Sequence, residues 1–234
     1  MNVDLGRRAT AEAVGTALLV AVVVGSGISA QRLSPDDIGV ELLENSIATG
    51  AALVALILAF GPISGAHFNP VVTMADRVLG GIATGDALVY VVAQVGGACV
   101  GAMVANLMFE LPAVTVSTHT RSSGALWFSE VIATFGLLLV ILGVVRAGRA
   151  QLAAFAVGGY IAAAYWFTSS TSFANPAVTI GRSLTNTFAG IAPSSVPPFV
   201  AAQIAGALLA VALARFLRPN IPAEDLVMPH DGQT

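Results

Sequence analysis

Lysine is absent from this 234-residue chain, and charged residues of every kind make up only 10% of it. Ten arginines and three histidines stand against 13 acidic groups, for a net charge of −3. No basic cluster of the kind that grips a phosphate backbone occurs, so nucleic acid is not expected as a partner. The single cysteine, Cys99, cannot form an intrachain disulfide. With no Cys, His or carboxylate beside it at ligand spacing, it is not read as a metal site either, and no cofactor is expected. Titratable groups are equally scarce inside the apolar stretches, where Glu12, Glu130 and His67 are almost the only ones. That leaves little with which to couple an ion gradient, which counts against an ion-coupled secondary transporter. An intramembrane enzyme fares worse, because no nucleophile–base pair or metal-ligand set lies at useful spacing, so no catalytic residue is assigned.

What the chain has in abundance is apolar surface. At 56% hydrophobic and a mean hydropathy of +0.84, it is an integral membrane protein rather than a soluble domain. Six stretches reach spanning length, at residues 9–30, 42–60, 87–109, 126–145, 152–167 and 196–216, the fifth being the shortest. The first lacks a short apolar core followed by a cleavage site, so it is expected to stay as a helix. Arginine alone carries the orientation signal. An inside N-terminus puts Arg7, Arg8, Arg77, Arg146, Arg149, Arg215 and Arg218 on the cytoplasmic side and only Arg32, Arg121 and Arg182 outside. Both termini are then cytoplasmic, and the polar tail at 218–234 is expected to be disordered or loosely docked there.

One short phrase occurs twice, Asn69-Pro70-Val71-Val72-Thr73 and Asn175-Pro176-Ala177-Val178-Thr179. Each begins with a residue suited to cap a helix and a proline suited to its first turn. The helices they start, over 71–79 and 177–188, are too short to cross a hydrocarbon core about 30 Å thick. They read as half-helices, entering from opposite sides in the two halves of an inverted repeat, about 1–112 and 120–217. Other features recur between the halves. Glu12 and Glu130 each open an apolar run, and Ala93-Gln94, Gly97, Gly101 and Ala105 match Ala202-Gln203, Gly206, Ala210 and Ala214 in spacing. Small residues at every fourth position let helix backbones approach closely in lipid, and the two stripes pair spans three and six across a pseudo-two-fold axis.

Half-helices that meet N-terminus to N-terminus place two positive dipole ends at the midplane, which repels cations. Irregular backbone at that depth requires a buried or polar-lined cavity. The amides of Asn69 and Asn175 would aim N–H donors into it, ready for the oxygen of a neutral solute. The Ser/Thr run at 168–172 reads as polar pore lining, or alternatively as side chains that satisfy the backbone of the re-entrant turn.

Over about residues 8–217, and most specifically in Ser64-Gly65-Ala66-His67-Phe68-Asn69-Pro70 and Asn175-Pro176-Ala177, the chain resembles the aquaporin and aquaglyceroporin family, the major intrinsic proteins. The resemblance implies an all-α membrane fold of six spans and two re-entrant half-helices, one pore per subunit, a homotetramer and passive conduction of water or small uncharged solutes. It also implies that Glu12 and Glu130 support the re-entrant loops and that His67 lines the cytoplasmic vestibule. The departures from the family pattern carry further expectations. Val71 stands where the family usually has alanine, adding bulk behind Asn69. Val178 stands where the family's outer constriction usually has arginine. Counting that constriction's other positions from the asparagines gives Thr49, Ala163 and Ser172, all small, so the opening is expected to be wide. Arg182, one helical turn beyond Val178, either turns toward the pore mouth or snorkels to the outer headgroups. A wide filter without arginine resembles channels of bacterial arsenic-resistance operons and also some plant vacuolar members that pass urea and ammonia, and the run Ala174-Asn175-Pro176-Ala177-Val178-Thr179-Ile180-Gly181-Arg182-Ser183 fits the bacterial group better. The resulting expectation is a channel for glycerol, urea, water and neutral arsenic acids such as arsenite in a bacterial inner membrane, with a water-selective channel as the alternative.

Overall fold

The computed structural model describes residues 3–217; the tail at 218–234, with Arg218, lies outside the described residues. Eight α-helices follow in order: α1 (Leu5–Leu33), α2 (Ile38–Ser64), α3 (Pro70–Leu79), α4 (Thr84–Met108), α5 (Gly124–Arg146), α6 (Ala153–Phe167), α7 (Pro176–Gly181) and α8 (Val196–Leu217). Six helical segments are long and apolar enough to cross a membrane; α3 and α7 are not among them. Their starts obey the local chemistry. Asn69 and Asn175 both have extended backbone, and each accepts through its side chain from the N–H groups of its own first turn, with proline at the first helical position.

The second half-helix is shorter than the sequence suggests. It stops at Gly181 instead of continuing to 188, and a 3₁₀ turn (Arg182–Leu184) follows. The reason lies in what donates to the carbonyls there. Those of Arg182, Ser183 and Leu184 take N–H groups from Ile191, Ser117 and Thr115, so the chain folds back instead of continuing the helical ladder. The first half-helix ends at Gly80, whose φ of 94° is the left-handed geometry that terminates a helix at little cost for glycine.

The small-residue stripes have a different partner from the one their symmetry suggests. They do not lie against each other. A Cβ added at Gly97 or Gly101 would sit 2.2 or 2.1 Å from the carbonyl oxygen of Ala13 or Ala17, so α4 is pressed against α1. In the second half Gly206 of α8 approaches Val131 of α5 in the same way, at 2.4 Å. Each stripe seats the third span of a half on the first span of that half, and the four helices form the frame around the half-helices. Large apolar side chains such as Leu88, Val92, Val100 and Val104 face outward along the same helix.

Candidate functional site

Two buried carboxylates hold the re-entrant loops. Glu12 on α1 accepts from Ser64 Oγ (2.6 Å), the backbone N–H of His67 (3.0 Å) and of Phe68 (2.7 Å), and Gln94 Nε2 (2.8 Å). Glu130 on α5 repeats the set with Ser170 Oγ (2.6 Å), the N–H of Phe173 (2.9 Å) and of Ala174 (2.9 Å), and Gln203 Nε2 (2.7 Å). Each glutamine also donates to the threonine four residues past the asparagine, Gln94 to Thr73 and Gln203 to Thr179, both at 2.9 Å. The loops so held are strained. Ala66, Phe68, Ser172 and Ala174 have φ of 48°, 49°, 51° and 47°, in the left-handed region. A non-glycine residue there costs about 1–3 kcal/mol, which only strong local bonding can offset.

The same strained turns aim two carbonyls at the opposite half-helix start. Asn69 Nδ2 donates to the Ala174 carbonyl and Asn175 Nδ2 to the Phe68 carbonyl, both at 2.8 Å. With Oδ1 capping its own helix, each asparagine keeps one further amide hydrogen for the cavity it lines. That cavity, of about 80 Å³, runs past His67, Asn69 and Val72, then Asn175 and Val178, to Thr49, Tyr165, Ser172, Phe173 and Arg182. We call the Arg182 end the outer one, following the topology expected from the arginines.

The expected site residues divide as follows. His67, Thr49, Ser172 and Val178 line the cavity, as do both asparagines. Pro70, Pro176 and Ala177 build the helix starts behind it. Val71 does not narrow the pore: it is buried in the packing of α3 against Leu138, Ala207 and Val211, while Val72 takes the lining position. The placement of Ala163 needs correction. It is exposed on α6, and the lining comes instead from Val157, Ile161 and Tyr165 on one face. Two residues past Ile161 is about 200° around a helix, so position 163 turns away from any surface that 161 and 165 share. In the run at 168–172, Ser170 holds Glu130, Ser172 reaches the cavity, and Thr168 returns its hydroxyl to the Ala164 carbonyl (2.7 Å).

The lining is therefore less open than small residues alone would make it. Tyr165, which sequence reasoning missed, shares a hydrogen bond with Thr49 at 3.1 Å. Its signal was present: a polar aromatic at four-residue spacing from Val157 and Ile161. Arg182 faces the cavity and is 3% exposed. Its Nε donates to the Ala189 carbonyl and its guanidinium lies 3.5 Å from the Phe173 ring centroid. Arg121 approaches the same ring at 5.3 Å and donates to the carbonyls of Gly190 (3.0 Å) and Phe188 (3.3 Å). Burial pushes the Arg121 guanidinium below its ordinary range, while Glu130 and Tyr165 act the other way. Seven residues past Asn69, the counterpart of Arg182 is Asp76, a buried carboxylate 3.7 Å from His67 Nε2.

Paired half-helices, crossed asparagine bonds and duplicated glutamates describe a pore, and comparison with known proteins identifies its kind. The Major intrinsic protein family matches residues 1–172. The chain belongs to the major intrinsic proteins. It is thus a membrane channel rather than an enzyme. A relative, aquaglyceroporin AqpS of Rhizobium meliloti (strain 1021), is 52% identical over 231 residues, covering 99% of this chain and 97% of that protein. The X-ray structure of the aquaglyceroporin from Plasmodium falciparum shares the fold, with a TM-score of 0.71 at 22% identity over 92% of this chain and 98% of that one.

Proposed function

We propose that this major intrinsic protein passively conducts small uncharged solutes, namely glycerol, urea, water and neutral arsenic acids such as arsenite. The constriction is read as Thr49, Tyr165, Ser172 and Val178, with Arg182 at its mouth and His67 in the opposite vestibule. The observation that carries this is Val178, an apolar side chain on the cavity wall where the family's filter usually holds arginine. Near-full-length similarity to a protein named an aquaglyceroporin supports the glycerol part. Asn69 and Asn175 supply the midplane donors for a solute oxygen, and the facing dipoles of α3 and α7 disfavour cations. We read the assembly as a homotetramer in a bacterial inner membrane with both termini cytoplasmic. The water-selective reading draws support from Tyr165, Phe173 and Arg182, which add bulk and a fixed charge to the lining.

The two readings separate in proteoliposomes assayed by stopped-flow light scattering for water, glycerol and urea, with arsenite uptake in parallel. The wide-pore reading expects the unmodified channel to pass all four and Val178→Arg to keep water while losing the larger solutes. If the unmodified channel passes only water, the water-selective reading takes its place.

A further inference from the structure

Arg182 sits in the outer vestibule with part of its hydrogen-bonding capacity unused. Its Nε is committed to the Ala189 carbonyl and its plane is set against Phe173. No described residue accepts from Nη1 or Nη2, although the side chain is 97% buried by its 3% exposure and lines the cavity. The edge left over is the end-on fork formed by those two nitrogens, which matches two oxygens of one planar anion. Ser172 supplies a second such group. Its hydroxyl is buried on the wall of the same cavity without a hydrogen-bond partner.

The local field has the matching sign. Among the described residues no aspartate or glutamate lines the cavity. Glu130, the carboxylate that holds the outer loop, already has its oxygens occupied by four donors. Arg121, on the same Phe173 ring, adds a second cation, so two guanidiniums face one carboxylate at this end. The rest of the wall is largely apolar, with Val178, Leu53 and Phe173, which suits a short hydrocarbon stem behind a single charged group.

We propose that the outer vestibule binds a small monovalent carboxylate, with its two oxygens on the Nη1/Nη2 fork of Arg182 and the Ser172 hydroxyl as a third donor. The occupant lies in the solute path, so it blocks neutral-solute flux from that side. The binding half stands on the side-chain geometry alone; the block rests on the channel reading above.

Lactate is a suitable probe, at pH 8 where it is fully ionised, against sodium chloride of equal ionic strength. Saturation-transfer NMR on the detergent-solubilised full chain reads binding, and stopped-flow glycerol efflux from proteoliposomes reads block. The site requires a lactate signal that Arg182→Gln weakens about tenfold or more, the scale of losing a charge-assisted bidentate pair. Arg182→Lys keeps the charge without the fork and should fall between, and Ser172→Ala should weaken binding severalfold. Each variant is first checked for monodisperse elution, so that a misfolded Arg182→Gln leaves Arg182→Lys and Ser172→Ala to decide. No lactate signal with the unmodified protein, or equal signals from all variants, overturns the site. Arg182-dependent binding without any glycerol flux upholds the site and refutes the wide-pore reading instead. Binding combined with glycerol flux that lactate leaves unchanged overturns the block.

Discussion

Replacing Glu130 by glutamine changes one atom in the outer loop's support and is expected to release that loop. The carboxylate accepts from two backbone N–H groups, one hydroxyl and one amide, at 2.6–2.9 Å. Glutamine offers one oxygen, so two of these donors lose their acceptor and face an NH₂ instead. A hydrogen bond to a charged group contributes about 1.5–3 kcal/mol, so the change costs about 3–6 kcal/mol. What is lost also held Thr171, Ser172 and Ala174 at positive φ, and those residues relax once it is gone. For a chain of this length about 1 kcal/mol moves the melting temperature by roughly 2–4 °C, giving an expected fall of about 6–24 °C. Intrinsic fluorescence during heating of the purified protein in detergent measures it, and stopped-flow efflux reports the accompanying loss of glycerol permeability. Glu12 accepts an equivalent set of four donors, so Glu12→Gln should fall by a similar amount. A shift below about 3 °C with unaltered flux in either variant would refute the argument that the loops depend on these carboxylates.

Four other changes test separate positions. Gly101→Leu should prevent α4 from seating on α1, because the atoms it would strike are backbone; expression without monodisperse folded protein is expected. Gly96→Leu, where an added Cβ meets nothing within 4 Å, should behave as the unmodified chain in the same size-exclusion assay. Tyr165→Phe removes the 3.1 Å bond to Thr49, costs about 1 kcal/mol and should change glycerol permeability by less than about tenfold while leaving water flux nearly intact. Arg8→Ala breaks the 2.5 Å pair with Asp86, whose side chains are 16% and 29% exposed; thermal melts should register a loss of about 1–3 kcal/mol.

The half-helices were legible because their starts are decided locally: an asparagine cap and a proline at the first turn work the same way in any surroundings. The stripes at Gly97, Gly101 and Gly206 were legible as close approaches, but spacing along one helix says nothing about which helix approaches. Their partners, α1 and α5, are set by tertiary packing. Ala163 was misplaced for a related reason. Counting back from Asn175 crosses residues 168–174, a turn with three positive-φ residues, and a register carried through such a turn is lost. Hydrophobic periodicity does not restore it in α6, since lipid and protein interior are both apolar and the two faces look alike. The end of α7 at Gly181 depends on Thr115 and Ser117, more than sixty residues upstream, whose N–H groups take its continuation's carbonyls.

The crossed bonds between Asn69 and Ala174 and between Asn175 and Phe68 have a consequence for how the protein is made. Their partners are 105 and 107 positions apart. At a synthesis rate of about 5–20 residues per second, roughly 5–20 s pass between emergence of the first asparagine from the ribosome and emergence of its acceptor. Throughout that interval the Phe68 carbonyl and the Asn69 amide lack the partners they have in the folded chain. Neither half can finish its pore loop alone, so closure of the pore is an event of the whole polypeptide, set by delivery of the second half to the bilayer.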